Sequence, residues 1–295
     1  MITNNTPVEW TKVGDVWVLV KREDMSSPFP GPGFSKIRGL VPHLRSRPEE
    51  VVGILDTFHS KAGWAVAYVC KELGKKAVVY YPRYKYDWKL QTSDGEFEGD
   101  AYALRPQQQN AQDLGAELVA LQATAGYILA PRAKKDLLAR YPGAHMLPVG
   151  LKMPESVEEN AKEAVRTTRN MPRWPYEPIK SLVMSVSSGT VAAGVIKGLT
   201  AVNELPDTVV CHLGYSRPVE GARGLRKNLE KKSGADMSGV TFIDEGYNYR
   251  DPVKHYDAKA YPFPTNPYYD GKTLRWLETF AKSLPQPVMF WNIGA

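Results

Sequence analysis

The stretch Gly31-Pro-Gly-Phe-Ser-Lys-Ile-Arg-Gly39 places Lys36 at a turn rich in glycine and proline that opens a helix. It follows Lys21-Arg-Glu-Asp24, which ends the apolar strand predicted at Val16-Trp-Val-Leu-Val20. A lysine on such a turn is held in place while its amine reaches a pocket. Burial favours the neutral amine, which forms a Schiff base with an aldehyde cofactor. On these residues alone, the alternative is an exposed lysine in the first turn of a surface helix.

Outward from this turn, apolar strands alternate with helices along most of the chain. Strands are predicted at 51–55, 76–81, 117–120, 181–185 and 208–213, and helices at 36–44, 62–73, 107–114, 134–141, 155–169 and 191–205. This alternation predicts an α/β protein with mainly parallel, covered sheets, and 295 residues favour two compact units. Residues 84–102 are predicted to form a hairpin insertion, and residues 171–178 to link the units.

A second turn of small residues lies at Ser185-Val-Ser-Ser-Gly-Thr-Val-Ala-Ala-Gly194, between a strand and a helix. Its backbone N–H groups suit a phosphate, because a helix N-terminus favours negative charge. Ser187, Ser188 and Thr190 add hydroxyl donors, and Gly189 lets the backbone approach the phosphate. A tight turn from strand to helix needs small residues in any case, so a purely structural turn is the alternative.

In this order the two turns resemble the cofactor-lysine segment and the phosphate cup of fold-type II enzymes that use pyridoxal 5′-phosphate (PLP). Among these enzymes, the chain resembles serine/threonine dehydratases, D-cysteine desulfhydrase and aminocyclopropane-carboxylate deaminase. The dehydratases place serine before phenylalanine, where this chain reads Phe34-Ser35-Lys36. The resemblance implies a tryptophan-synthase-β-like fold, in which two open, mainly parallel-sheet domains flank a PLP cleft and Lys36 carries the cofactor.

The same resemblance implies the extent of the domains and their association. The large PLP-binding domain is expected to comprise residues 1–45 and 154–295, and the small domain residues 46–153. Relatives are mostly homodimers, so a homodimer is expected.

The segment Asn266-Pro-Tyr-Tyr-Asp-Gly-Lys-Thr273 and the final strand resemble the desulfhydrase and deaminase endings. In those relatives a threonine near the C-terminus contacts the pyridine nitrogen of PLP. Ile293 stands at that position, and Asn292 replaces the preceding histidine. Isoleucine neither donates nor accepts a hydrogen bond. The resemblance therefore implies a ring nitrogen without a partner.

A fourth segment, Thr57-Phe-His-Ser-Lys61, occupies the place of the family loop whose asparagine faces the phenolic oxygen of PLP. Neighbours of that asparagine hold the substrate carboxylate. Lys61 takes the asparagine's place, and its ammonium is expected at the phenolate or at the carboxylate. His59 and Ser60 are the expected substrate-binding neighbours. An exposed loop is the alternative for His59 and Lys61.

The chain carries 38 Lys and Arg against 32 Asp and Glu, which gives a net charge of +6. Residues 217–232 hold six cations and two carboxylates, and residues 132–140 hold four cations and one carboxylate. Such clusters suit a phosphate cofactor or a polyanion such as DNA, and are also typical of a solvated helix face. Tyr247 and Tyr268, from tyrosine-rich segments, are expected to bind substrate, and tyrosines beside cations suit stacking on extruded bases.

Three functions fit these features. One is a lyase that breaks a bond at Cα of an amino acid, by elimination, deamination or decarboxylation, with Lys36 and Lys61 as catalytic groups. Another is a PLP-dependent decarboxylase of a glycyl-type adduct of thymine in bacteriophage DNA, which the basic clusters and the altered loop favour. The third is a binding module that kept the fold and lost activity, which Ile293 suggests.

The two cysteines, Cys70 and Cys211, are far apart in sequence and lack metal-ligand spacing, which indicates a reduced compartment. The first residues lack the order of a signal peptide, and no apolar run approaches the roughly 20 residues that cross a bilayer. The expected location is the cytoplasm, that of the host cell if a phage encodes the protein.

Overall fold

A computed structural model of the chain describes residues 2–57, 59–83, 88–92, 95–99, 103–171, 178–249, 251–253, 257 and 259–294. The backbone divides into two compact units. Unit 1 is formed by Ser27–Pro32 and Leu40–Met153, and unit 2 by Ile2–Ser26, Gly33–Gly39 and Pro154–Ala295. The second segment of unit 2 carries Lys36.

Strands and helices alternate along the chain as the sequence predicts. The strands are β1 (Val8–Val13), β2 (Val16–Arg22), β3 (Val51–Leu55), β4 (Lys76–Arg83), β5 (Trp88–Thr92), β6 (Gly95–Gly99), β7 (Glu117–Gln122), β8 (His145–Met146), β9 (Ser181–Val186), β10 (Thr208–Leu213), β11 (Val240–Ile243) and β12 (Val288–Asn292). The helices are α1 (Ile37–Arg45), α2 (Ala62–Glu72), α3 (Pro106–Asp113), α4 (Gly126–Arg140), α5 (Pro154–Asn170), α6 (Thr190–Ala201), α7 (Val219–Ser233) and α8 (Asp270–Phe280).

Unit 2 is built on a six-stranded sheet with the order β1-β2-β12-β9-β10-β11. The β1–β2 pair is antiparallel, and the other pairs are parallel. Successive side chains of a strand point to opposite faces. Leu182 and Met184 pack with α5, α6 and α7, whereas Val183 packs with α8. Helices therefore cover both faces of the sheet.

The strand order of unit 2 reverses in the middle of the sheet. From β9 the chain moves outward to β10 and β11, and then returns through α8 to β12, on the other side of β9. Ligands of open α/β sheets bind beyond the carboxyl ends of the strands at such a reversal. The carboxyl ends of β9 and β12 are therefore the place in unit 2 where a ligand is expected.

Unit 1 contains a parallel sheet with the order β7-β4-β3-β8. Leu55 of β3 and Val78 of β4 pack against Leu137 of α4 in a buried cluster. Strands β5 and β6 pair in antiparallel fashion, which confirms the predicted hairpin for the part of residues 84–102 that is described. Most of the predicted link at 171–178 lies outside the described residues.

Two helices differ from the prediction at their ends. Helix α4 begins at Gly126 rather than near residue 134, because its buried positions Leu129, Ala133 and Leu137 recur every four residues across Pro131. Helix α6 ends before Asn203, whose φ of 57° is left-handed. None of the helices within the described part of the chain has the length and apolar character needed to cross a membrane.

Candidate active site

Lys36 lies immediately before α1, half-buried between buried neighbours. Its Nζ atom is 5.9 Å from the centroid of the Phe34 ring. The adjacent Ser35 donates both its N–H, at 3.0 Å, and its hydroxyl, at 2.9 Å, to the carbonyl oxygen of Ile293. The turn that carries Lys36 is thus fastened to the C-terminal turn. Two residues that the sequence singled out, 257 positions apart, are brought together.

The same edge of the sheet carries the predicted phosphate turn. Strands β12 and β9 pair in parallel up to Trp291 and Met184. The turns that begin at Ile293 and Ser187 therefore leave the sheet side by side, at the carboxyl ends next to the reversal of strand order. Because β10 is the next parallel strand, the loop at residues 214–217 leaves at this edge too.

The turn from Ser187 to Thr190 is shaped for an anion. Gly189 is the N-cap of α6 with a φ of 77°, and no side chain caps the helix. The first N–H groups of a helix have no acceptor within the helix, so they are available to a phosphate. The Ser188 hydroxyl lies 3.2 Å from the Thr190 hydroxyl. The Ser185 hydroxyl is buried and has no hydrogen-bond partner in the described structure.

Gly189 cannot be exchanged for a larger residue without strain. A Cβ atom there would lie 3.0 Å from Leu225 and 3.1 Å from Leu229 of α7, in addition to the left-handed φ. An amine before α1, N–H groups in the first turn of α6 that have no acceptor within the helix, and closely approached backbone all lie at one sheet edge. These residues fit a cofactor that combines an aldehyde with a phosphate.

Four charged side chains form a buried network that includes Arg38, two residues after Lys36. Lys21, Glu23, Arg38 and Glu163 have side chains at most 2% exposed. Arg38 donates to both carboxylate oxygens of Glu23, each at 2.8 Å, and lies 3.2 Å from Glu163. Lys21 donates to Glu163 at 2.8 Å. These bonds tie α1, two residues beyond Lys36, to β2 and α5.

The network keeps its charges because each is paired. Burial raises the pKa of Glu163, but the nearby Arg38 and Lys21 outweigh burial, so its pKa is lowered. Burial lowers the pKa of Lys21, while Glu23 and Glu163 act in the opposite direction. Thr6 completes the set by donating its hydroxyl to Glu23 at 2.5 Å and its N–H to Glu163 at 2.9 Å. Paired buried charges of this kind fix geometry more than they add stability.

The C-terminal turn lies against a carboxylate of α8 that sequence reasoning missed. Ile293, predicted beside the pyridine nitrogen, is buried, and its N–H lies 3.4 Å from a carboxylate oxygen of the fully buried Asp270. Asn292 donates to Asp24 at 3.2 Å. A Cβ on Gly294 would come within 2.5 Å of the Gly33 carbonyl. The one signal for Asp270 was its place in the 266–273 segment, directly before the Gly-Lys pair.

In unit 1, the loop after β3 is organised by Asp56, which was also missed. Its buried carboxylate accepts the N–H of Thr57 at 2.9 Å. Burial raises the pKa of Asp56 to about 7, against the effect of hydrogen bonds from the backbone of Gly63 and Thr57 and from the Ser60 hydroxyl. Lys61, half-buried, is the N-cap of α2. Asp56 thus fixes the loop that presents the predicted side chains.

Two predicted residues of this loop lie close to the start of α2. His59 is buried, and the Ser60 hydroxyl accepts the N–H of Ala62 at 3.0 Å. The bond to Ala62 gives Ser60 a structural task at the helix start as well.

The predicted tyrosines lie in unit 2, near the loops after β10 and β11. The Tyr247 ring is 4.6 Å from the ammonium of Lys272, which burial gives a pKa of about 8. Tyr268 is half-buried, and its N–H is donated to Asn266 at 2.8 Å. The structure places Tyr247 and Tyr268, both half-buried, in loops of unit 2.

The basic cluster 217–232 divides into internal and external cations. Arg226 donates to the carbonyl oxygens of Met237 and Val240, so it holds the chain before β11. The cations Arg223, Lys227 and Lys231, spaced four residues apart on α7, are exposed.

Comparisons with known proteins agree with this site. A family described as "Pyridoxal-phosphate dependent enzyme" matches residues 2–262. The chain is 48% identical over 299 residues to the glycyl-dTMP PLP-dependent decarboxylase of Pseudomonas phage M6, with 100% of both chains covered. An ACC deaminase homologue of known structure has a TM-score of 0.73 at 19% identity, and covers 99% of this chain and 90% of its own. The L-serine ammonia-lyase of Rhizomucor miehei has a TM-score of 0.66 at 15% identity, with coverage of 98% and 92%.

These findings confirm the resemblance drawn from the sequence. The structural neighbours show the tryptophan-synthase-β-like α/β fold with its mainly parallel sheets. The family match includes both the Lys36 turn and the Ser187–Thr190 turn. The cofactor is pyridoxal 5′-phosphate, and the chain is an enzyme of the lyase type. The chain therefore belongs to the pyridoxal-phosphate-dependent enzymes of fold type II.

Proposed function

We propose that this enzyme removes the carboxylate of a glycyl group carried by thymidylate in bacteriophage DNA. The observation that carries the proposal is the 48% identity, over the whole of both chains, with a glycyl-dTMP decarboxylase of a phage. The structural neighbours are below 20% identity, so they support the fold and leave the substrate open.

Residues of unit 2 would hold the cofactor. Lys36 would bind the aldehyde carbon, and the N–H and hydroxyl groups of Ser187, Ser188, Gly189 and Thr190 would hold the phosphate. We take residues 1–45 and 154–295 as the PLP-binding domain and residues 46–153 as the small domain.

In the proposed reaction, the bond between Cα and the carboxylate carbon breaks and carbon dioxide leaves. Bound PLP supplies the electron sink that delocalises the pair left on Cα. The Lys36 ammonium then delivers a proton to Cα, which completes the exchange of carbon dioxide for hydrogen. Lys61, with His59 and Ser60, would bind the carboxylate that leaves. That role is consistent with a loop that departs from the family pattern.

A nucleic-acid substrate fits the exposed cations of α7. Residues four apart on a helix are about 6 Å apart along its axis, so Arg223, Lys227 and Lys231 form one row. In the described structure these three side chains form no ion pair. Phosphate contacts from such a row give affinity that falls steeply with salt. We also propose that the enzyme is a homodimer and works in the cytoplasm of the infected cell.

The test is a reaction of the purified, PLP-loaded protein with an oligonucleotide that carries glycyl-thymine. Mass spectrometry should show loss of one carbon dioxide per modified base, with no reaction of free glycine. Raising the salt concentration should weaken oligonucleotide binding, and the Lys227→Glu variant should reduce that salt dependence without changing the cofactor spectrum. If the enzyme turns over free amino acids and leaves the oligonucleotide unchanged, this proposal is wrong and the enzyme is a small-molecule lyase.

A further inference from the structure

We propose that Tyr215, Arg217 and Tyr249 form a subsite for the nucleotide half of the substrate, with thymine stacked on one tyrosine ring and in edge contact with the other. The inference rests on the proposed function, because it assigns the part of the substrate that lies beyond the glycyl group. The three residues lie on the loops after β10 and β11, at the carboxyl edge of the unit 2 sheet.

The two loops are fastened to each other, so their side chains have fixed positions. Ser216 donates its N–H to the carbonyl of Tyr247 at 2.6 Å. Lys272, fully buried in the first turn of α8, donates to the carbonyl of Gly214 at 2.6 Å and lies 3.4 Å from that of Asn248. One ammonium thus contacts the backbone of both loops. A binding surface built from them needs little reorganisation when a ligand arrives.

The rings of Tyr215 and Tyr249 form an aromatic surface that is partly accessible to solvent. Tyr215 and Tyr249 meet edge to face, with ring centroids 5.3 Å apart and planes at 88°. The Tyr249 hydroxyl lies 3.1 Å from that of the buried Tyr269, which backs the pair. Tyr215 and Tyr249 themselves are half-buried. Partly exposed aromatic rings held in place are the surfaces on which nucleic-acid-binding proteins stack bases.

Arg217 links this aromatic surface to the turn from Ser187 to Thr190. Its guanidinium carbon is 4.7 Å from the centroid of the Tyr215 ring, and one terminal nitrogen donates to the Tyr215 hydroxyl at 2.9 Å. The same nitrogen donates to the carbonyl of Ser187, the first residue of the proposed phosphate turn. The Nε atom is buried and has no hydrogen-bond partner among the described residues.

The unused donor of Arg217 indicates what the ligand supplies. A guanidinium has five N–H donors and no acceptor, so the Nε–H requires an oxygen or nitrogen acceptor. The carbonyl oxygens of thymine are such acceptors on a flat ring that stacks on tyrosine. Free glycine and the other aliphatic amino acids offer no ring to the two tyrosines. The subsite would therefore select a thymine nucleotide.

The test compares the binding of dTMP with that of 2-deoxyribose 5-phosphate, which lacks the base, by calorimetry on PLP-free and PLP-loaded protein. Wild type should prefer dTMP. Tyr215→Leu and Tyr249→Leu should each weaken dTMP binding, roughly tenfold for the ring on which thymine stacks and less for the ring in edge contact. Neither change should alter binding of the sugar phosphate. Tyr249→Phe, which keeps the ring, should bind dTMP as wild type does.

Trp17→Leu is the matched control, because Trp17 is an exposed aromatic residue at the amino end of β2, on the opposite sheet edge. Unchanged dTMP affinity in both tyrosine variants, with normal melting and PLP absorbance, would overturn the subsite. Equal losses for dTMP and the sugar phosphate would overturn it too. If wild type fails to decarboxylate glycyl-thymine while the variants lose dTMP binding, the proposed function fails and the subsite stands. Should Tyr215→Leu not fold, the Tyr249 pair decides.

Discussion

Lys36 and Lys61 each lie directly before a helix, but the two lysines have different surroundings. In unit 2, Ser35 fastens the Lys36 turn to the C-terminal turn, and Arg38 anchors the helix in a network of four buried charges. In unit 1, the loop before Lys61 contains the buried carboxyl of Asp56, which accepts hydrogen bonds from this loop and from the start of α2. The residue that follows the family pattern is thus set beside a network of paired charges, whereas the loop that departs from the pattern is organised around a buried carboxyl that can take up a proton.

The contrast between Lys36 and Lys61 requires that Lys36 is the lysine that carries the cofactor. Lys36→Ala should lower turnover by at least roughly 10²- to 10⁴-fold, the contribution of a positioned proton-transfer group. Borohydride should fix PLP to the peptide that contains Lys36 in the wild type and to no peptide in the variant. Lys61→Ala is the matched control, and it should keep the cofactor on the Lys36 peptide. A Lys36→Ala enzyme with wild-type turnover would contradict the assignment.

A second test of this contrast removes one charge from the buried network of Lys21, Glu23, Arg38 and Glu163. Glu163→Gln leaves Lys21 and Arg38 without their shared partner, and breaking a buried pair in this way costs about 3–5 kcal/mol. Urea unfolding of the PLP-loaded protein measures the loss. The control is Glu158→Gln on the same helix, whose 53% exposed side chain pairs with Lys197 and should cost below about 1 kcal/mol. Equal losses in the two variants would show that the network does not anchor the turn.

A third measurement concerns Asp56, the buried carboxyl of the loop after β3 in unit 1. Burial raises the pKa of Asp56 from 3.8 to about 7, so the folded chain keeps a proton that the unfolded chain releases in this range. Its contribution to stability is therefore greatest at low pH, falls as pH rises from 3.8 to about 7, and is constant above. Asp56→Asn cannot titrate and should lose this part of the pH dependence.

Urea midpoints at several pH values test the expectation for Asp56. The control is Asp113→Asn, on an exposed position of α3, which should keep the wild-type pH dependence. If the pH profile of Asp56→Asn runs parallel to that of the wild type, protonation of Asp56 does not contribute to folding stability in this pH range.

The sequence predicts what local patterns determine. The glycine and serine turns at Lys36 and Ser187 each have neighbours that specify a helix start, so the α/β alternation and both turns follow from short stretches. The charge network has no such signal, because Lys21 and Glu163 are 142 residues apart and only the fold brings them together. The raised pKa of Asp56 likewise results from burial that tertiary packing creates.

For a similar reason, the sequence could not show which cations of residues 217–232 are exposed. The cluster 217–232 predicts a positive surface, yet Arg226 is bound to carbonyl oxygens inside the unit and Arg217 lies against Ser187. A list of cations cannot distinguish those that hold backbone from those that meet solvent. The departures at Lys61 and Ile293, in contrast, were visible because the surrounding pattern was already known.

The smallest effect is expected at Ile293. The backbone holds its turn: Ser35 donates to the Ile293 carbonyl, and the Ile293 N–H points to Asp270. Ile293→Thr, which restores the family residue, shortens a buried side chain by about one methyl group, so it should cost roughly 0.5–1.5 kcal/mol of folding stability and leave PLP bound. If the ring nitrogen lacks a partner in the wild type, the new hydroxyl supplies one, and elimination reactions of added amino acids should increase while decarboxylation changes little. The absorbance spectrum and both rates measure this. A large loss of PLP binding would mean that the isoleucine side chain itself holds the cofactor, and the Lys36 turn would then depend on the C-terminus through side-chain packing as well as backbone bonds.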